Sequence, residues 1–142
     1  MTPKEAKAYL MQYRESLDRT REIAEHLDEL KAEAVRLKGH EGQRVDLDSA
    51  VARYVDACEE SAHELDRLAA LRAEIVGAID GVTSSKYRTL LYWRYIRGYT
   101  WEQIAVEMSY SWRQTCRLHG DALNAVKIFL PCGEQDGERW SN

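Results

Sequence analysis

The residues best able to do chemistry lie between 111 and 117, which read Ser-Trp-Arg-Gln-Thr-Cys-Arg. Arg113 and Arg117 are four apart, so on a helix they share a face, one turn apart. Each guanidinium can make paired hydrogen bonds to a phosphate or to the O6/N7 edge of guanine. Trp112 and Cys116 fall on the same side, while Thr115, Leu118 and Ala122 fall on the other. The Ser111 hydroxyl and the first free amides of a helix starting there can hold a phosphate oxygen. The chemistry implied is recognition of DNA, not turnover of a substrate.

Nothing else in the chain reads as an active site. It has no paired carboxylates, nucleophile–base set or phosphate-binding glycine loop, so no enzyme is expected. The histidines His26, His40, His63 and His119 form no metal-ligand spacing with one another or with Cys58, Cys116 and Cys132, so neither a metal nor another cofactor is expected. Three widely spaced cysteines fit reduced thiols in a cytosol better than a disulfide frame. No apolar run approaches the ~18 residues that would span a membrane.

The arginines need a helix to position them, and the local spelling supplies one. Thr100 and Gln103, then Ser111 and Gln114, have capping-box spacing, in which the hydroxyl accepts from the third helical amide and the glutamine reaches back to the cap amide. Two helix starts this close require a two-turn helix over 101–108, a turn at Ser109-Tyr110 and a second helix from 112. Ile104, Ala105 and Met108 line the inner side of the first; Thr115, Leu118, Ala122, Leu123 and Val126 line that of the second. Upstream, Ser84 can cap a helix that Gly98 closes in the left-handed conformation. This is the spelling of a helix-turn-helix whose second helix enters a major groove. Glu102 and Glu107 would repel DNA, so the first helix braces and the second reads. Candidate DNA-binding residues are Ser111, Trp112, Arg113, Gln114, Cys116 and Arg117, with Thr100 at the first cap and Lys86 and Arg88 as poorer candidates on the preceding helix. Gln114 is also claimed by its cap, and Trp112 could instead pack on Tyr110.

Charge divides the chain in the same way. The 142 residues carry a net charge of −4, but residues 1–81 hold 12 Lys+Arg against 18 Asp+Glu, whereas residues 82–130 hold 7 against 3. The acidic part has the periodicity of long helices. Leu10, Tyr13, Leu17, Thr20, Ala24, Leu27, Leu30, Ala34 and Leu37 recur by 3 and 4. So do Leu47, Val51, Tyr54, Cys58, Ser61, Leu65, Leu68, Arg72, Ile75 and Ile79, with Arg72 spoiling one position that Leu71 adjoins. Asp46 or Asp48 can cap the second helix and Gly81 can end it. A turn at Gly39–Arg44 would fold the two back on each other, antiparallel. Leftover apolar positions (Ile23, Val35, Val55, Leu71, Val76) could serve a second chain. The expected fold is therefore all-α. It comprises a coiled-coil-like helical hairpin over 1–81 that oligomerises, a helix-turn-helix domain over 82–130 and a disordered tail over 131–142. On this division the acidic hairpin repels DNA, and a fragment of residues 82–142 should carry nonspecific binding by itself.

Residues 90–123, LLYWRYIRGYTWEQIAVEMSYSWRQTCRLHGDAL, resemble region four of bacterial sigma factors, which reads the −35 promoter element. They resemble more closely a family of phage and prophage transcriptional regulators related to the RinA and ArpU late-operon activators. In that family the motif also runs through Met108 to Leu123, and a long helical hairpin ends in a phrase like that of Leu68 to Ile79. Thr115 departs from the family's usual valine, and Trp112 and Cys116 from its usual polar or aromatic residues. The resemblance implies a sequence-specific DNA-binding regulator of late genes, acting on double-stranded DNA as a homo-oligomer in the bacterial host cytoplasm. It leaves open direct contact with RNA polymerase. The alternatives are a small terminase-like DNA-packaging protein and a structural coiled-coil protein with an incidental basic face.

Overall fold

The computed structural model describes residues 1–39 and 44–131. Among them all regular structure is helical and no strand occurs. The helices are α1 (Pro3–Lys38), α2 (Arg44–Asp80), α3 (Ser85–Leu91), α4 (Trp101–Met108) and α5 (Trp112–Val126). A π-helical turn, Tyr92–Ile96, continues α3, and a 3-10 turn, Lys127–Phe129, follows α5. Most of the turn expected at Gly39–Arg44, and the tail beyond Pro131, lie outside the described residues. Helix α2 has already begun at Arg44, so Asp46 sits in its first turn rather than capping a later start.

The chain forms two compact units, and the packing does not divide at Gly81. One unit joins Met1–Arg14 to the chain from Leu71 onward; the other is Glu15–Ala70. The expected boundary thus moves, because both ends of the acidic segment are core. From α1 come Ala6, Tyr9, Leu10 and Tyr13; from α2 come Ile75, Ala78 and Ile79, with Val82 beyond it, all buried. They share the unit with buried Leu90, Leu91, Tyr95, Ile104, Ala122, Leu123 and Val126. A fragment of residues 82–142 lacks this lid of apolar side chains.

In the Glu15–Ala70 unit the seam is thin. Ala50 is its one buried residue among those described, and Leu47, Tyr54, Cys58, Ser61 and Leu68 are half-buried. Arg53 reaches Glu33 on α1 at 3.0 Å. The seam departs from its expected register beyond Ser61. Leu65 is 50% exposed, whereas Glu64 and Leu71 turn inward; earlier in the helix Val51 faces outward and its neighbour Ala50 is buried. The α2 seam therefore runs through Ser61, Glu64, Leu68, Leu71 and Ile75, and Arg72 spoils nothing because it is not on it. Leu71, one of the positions left over for a second chain, is half-buried.

The α3 segment starts as expected. The Ser84 hydroxyl accepts from the Tyr87 amide. The π-helical turn was not foreseen. Its wider ring, closed by the Arg97 amide on the Tyr92 carbonyl at 3.0 Å, accompanies burial of Leu91, Tyr95 and Ile96 together. Gly98 then takes φ +75°, as the sequence requires. It has a second reason to be glycine. The Arg14 guanidinium lies where a β-carbon would sit, held by donation to the Ile96 carbonyl at 3.0 Å.

Two consequences can be measured together by denaturant unfolding. Ile75→Ala, at a fully buried position, should cost about 2–5 kcal/mol, whereas Leu65→Ala should cost less than about 1 kcal/mol. Equal losses would restore the expected seam. An isolated 82–142 fragment should show reduced helicity and no cooperative transition.

Candidate nucleic-acid interface

Both capping boxes are formed in full. The Thr100 oxygen accepts from the Gln103 amide at 3.1 Å, and the Thr100 amide donates to Gln103 Oε1 at 2.8 Å. Ser111 and Gln114 repeat the arrangement, at 3.1 and 2.8 Å. Between them Ser109 ends α4 in the left-handed region (φ 58°), and the Tyr110 amide returns to the Ala105 carbonyl at 2.9 Å. Helix α5 packs on both α3 and α4. Thr115 is fully buried, but its hydroxyl donates to the Ser111 carbonyl at 2.9 Å, so the departure from valine leaves no orphan polar atom.

The outer side of α5 carries Trp112, Arg113, Cys116 and Arg117, all exposed, with Trp112 57% accessible. Among the described residues neither arginine stands in an ion pair. The Trp112 and Arg113 amides lie in the first turn, where no preceding helical carbonyl is available. These are the groups that sequence spacing brought together, and the structure keeps them together. Gln114 is exposed, but its carbonyl oxygen is held by the cap, which leaves only its NH₂ to donate. The Thr100 and Ser111 oxygens likewise accept within their caps and keep one O–H each.

Lys86 and Arg88 separate. Lys86 is exposed, with Nζ 5.9 Å from the centre of the Tyr110 ring, beside the turn that leads into α5. Arg88 is half-buried and donates to the carbonyls of Val82 and Thr83, at 2.6 and 2.8 Å. Its guanidinium ties down the α2–α3 link and offers little to a ligand.

His119 entered the sequence reading only among the histidines without metal-ligand spacing. In the fold it is half-buried at the junction of the π-helical turn, α4 and α5. Its Nε2 meets the Tyr95 hydroxyl at 2.7 Å, and its ring packs 4.4 Å from Trp101. The Arg94 guanidinium lies over the Trp101 ring, 4.5 Å from its centre. Burial pushes the His119 pKa down to about 4, with help from the Lys7 and Arg94 charges. Burial raises the phenol of Tyr95. The phenol therefore stays protonated and the imidazole neutral; with the phenol donating to Nε2, the ring carries its own proton on Nδ1.

The sign of the pH effect follows. The unfolded histidine, with its ordinary pKa near 6.5, takes up a proton before the folded one does. Stability from this site is thus complete above ~6.5, falls as pH drops and levels off below about 4. Proton NMR titration should find one of the histidines in this low range, and Tyr95→Phe should cost about 1–3 kcal/mol by leaving Nε2 without a donor. A His119 that titrates near 6.5 would contradict the assignment.

In comparisons with family models, curated proteins and solved structures, nothing matches the chain.

Proposed function

We propose that this chain is a sequence-specific DNA-binding regulator. In this reading α4 and α5 form a helix-turn-helix and α5 enters the major groove. The observation that carries the reading is the outer face of α5: two arginines one turn apart with no ion-pair partner among the described residues, an exposed indole and a capped N-terminus with free amides. Arg113, nearer that terminus, reads a base edge; Arg117 and Lys86 hold phosphates. Glu102 and Glu107 keep the outer side of α4 away from DNA. The resemblance to the RinA and ArpU activators directs the reading toward a phage late-gene promoter.

The long helices are read as an antiparallel hairpin that brings copies together. Tyr9 facing Glu74 in one unit, and Glu33 facing Arg53 in the other, support that direction. Exposed Val51, Val55 and Leu65 on α2, and Val35 on α1, supply apolar surface for self-association. Replacing Val55 and Leu65 by Glu should keep the helical circular dichroism signal and shift sedimentation to the monomer. A wild-type monomer at tens of micromolar would remove the oligomer and leave the DNA reading standing.

The direct test is to map binding sites across the host and phage genome by immunoprecipitation. The proposal expects sites at promoters; one site at a packaging origin would transfer the protein to the packaging class. At a mapped site Arg113→Ala should cost roughly 1–3 kcal/mol, with relaxed preference at one base position. Arg117→Ala should weaken specific and nonspecific binding alike and flatten the salt dependence by about one unit. Unchanged affinity in both variants, once shown to be folded, would falsify the assignment of α5.

A further inference from the structure

The start of the chain lies beside the proposed reading helix. Lys7, on α1, lines an open cleft of about 200 Å³ with Trp101, Trp112, Cys116 and His119. The cleft wall is aromatic and apolar, and it includes two residues of the exposed α5 face. Because His119 is neutral, the Lys7 ammonium is the one charge among these five side chains. Its position is fixed. Ala6, Tyr9 and Leu10 on the inner side of α1 are buried, and Arg14 ties the helix to the Ile96 carbonyl at 3.0 Å. Lys7 itself is exposed and, among the described residues, in no ion pair.

We infer that this cleft seats a deoxyribose-phosphate unit of the DNA strand bordering the groove that α5 enters, with the phosphate on the Lys7 ammonium and the sugar against the Trp112 indole. The inference rests on the DNA-binding reading above and extends it to a residue more than a hundred positions away in sequence. An apolar wall with one cation at its rim matches a ligand that is apolar on its ring and anionic at its ester. A free inorganic anion would use the ammonium and leave the aromatic wall uncovered. The DNA surface is then composite. The acidic first half of the chain does not only repel the duplex: its first helical turns contribute a positive contact, with Lys4 one turn earlier on the same side of α1.

The experiment uses the full chain and a mixed-sequence duplex, titrated over roughly 50–200 mM salt. Lys7→Gln should lower affinity and flatten the log–log salt slope by about 0.9, the share of one phosphate. Lys7→Arg should keep the slope, and Trp112→Ala should weaken binding with the slope unchanged. If Lys7→Gln leaves slope and affinity as in the wild type while Arg117→Ala flattens the slope, the cleft assignment is overturned and the reading of α5 stands. If the wild-type chain does not bind the duplex, both are overturned. Circular dichroism of each variant separates these results from misfolding; Lys7 is exposed, so Lys7→Gln should fold as the wild type does.

Discussion

A fully buried phenol must find a hydrogen-bond acceptor, and much of this protein is arranged around that requirement. Tyr95 has no solvent-accessible surface, and its hydroxyl is satisfied by His119 Nε2. An unmade bond there would cost the desolvation of a polar group, about 1–3 kcal/mol. The acceptor must also stay neutral. A protonated imidazole could not accept, and it would sit within reach of the Lys7 and Arg94 charges. Burial keeps it neutral, so one constraint supports the other.

The pair also orients what surrounds it. Tyr95 belongs to the π-helical turn and His119 to α5, so their bond fixes the roll of α5 about its axis. Trp101, at the start of α4, packs against His119 and carries Arg94 on its ring. Three elements are thus pinned through one imidazole. With Thr115, Ala122, Leu123 and Val126 turned inward, Trp112, Arg113, Cys116 and Arg117 have no direction left but outward. The charge asymmetry has the same consequence at longer range. Glu102 and Glu107 share α4, whereas Arg113 and Arg117 lie in the first turns of α5 and Lys86 lies beside the turn before it.

Local rules were legible in the sequence wherever the deciding atoms lie within a few residues. The two capping boxes, the Ser84 cap, the left-handed Gly98 and the inner face of α5 are all of this kind. Where packing across the fold decides, the sequence was ambiguous. Beyond Ser61, Leu65 and Leu68 offered one seam, and Glu64, Leu68 and Leu71 another. Hydropathy favours the first because Glu64 is charged. The structure takes the second: the Glu64 side chain is only 22% exposed while its carboxylate meets Arg67 at 3.1 Å. Arg14 beside Gly98, and Lys7 beside Trp112, join residues more than eighty positions apart, and no local pattern announces them. Arg88 shows the converse. Its type suited DNA, but two carbonyls in the neighbouring link claim its guanidinium first.

Amide and indole chemical shifts recorded during titration with duplex DNA decide whether the outer face of α5 is the DNA surface. Binding through that face should concentrate the perturbations at 111–117, including the Trp112 indole, with a second set around Lys7 and little change on the outer side of α4 at Glu102 and Val106. Perturbations centred on α4 or on the Glu15–Ala70 unit, with 111–117 silent, would contradict it.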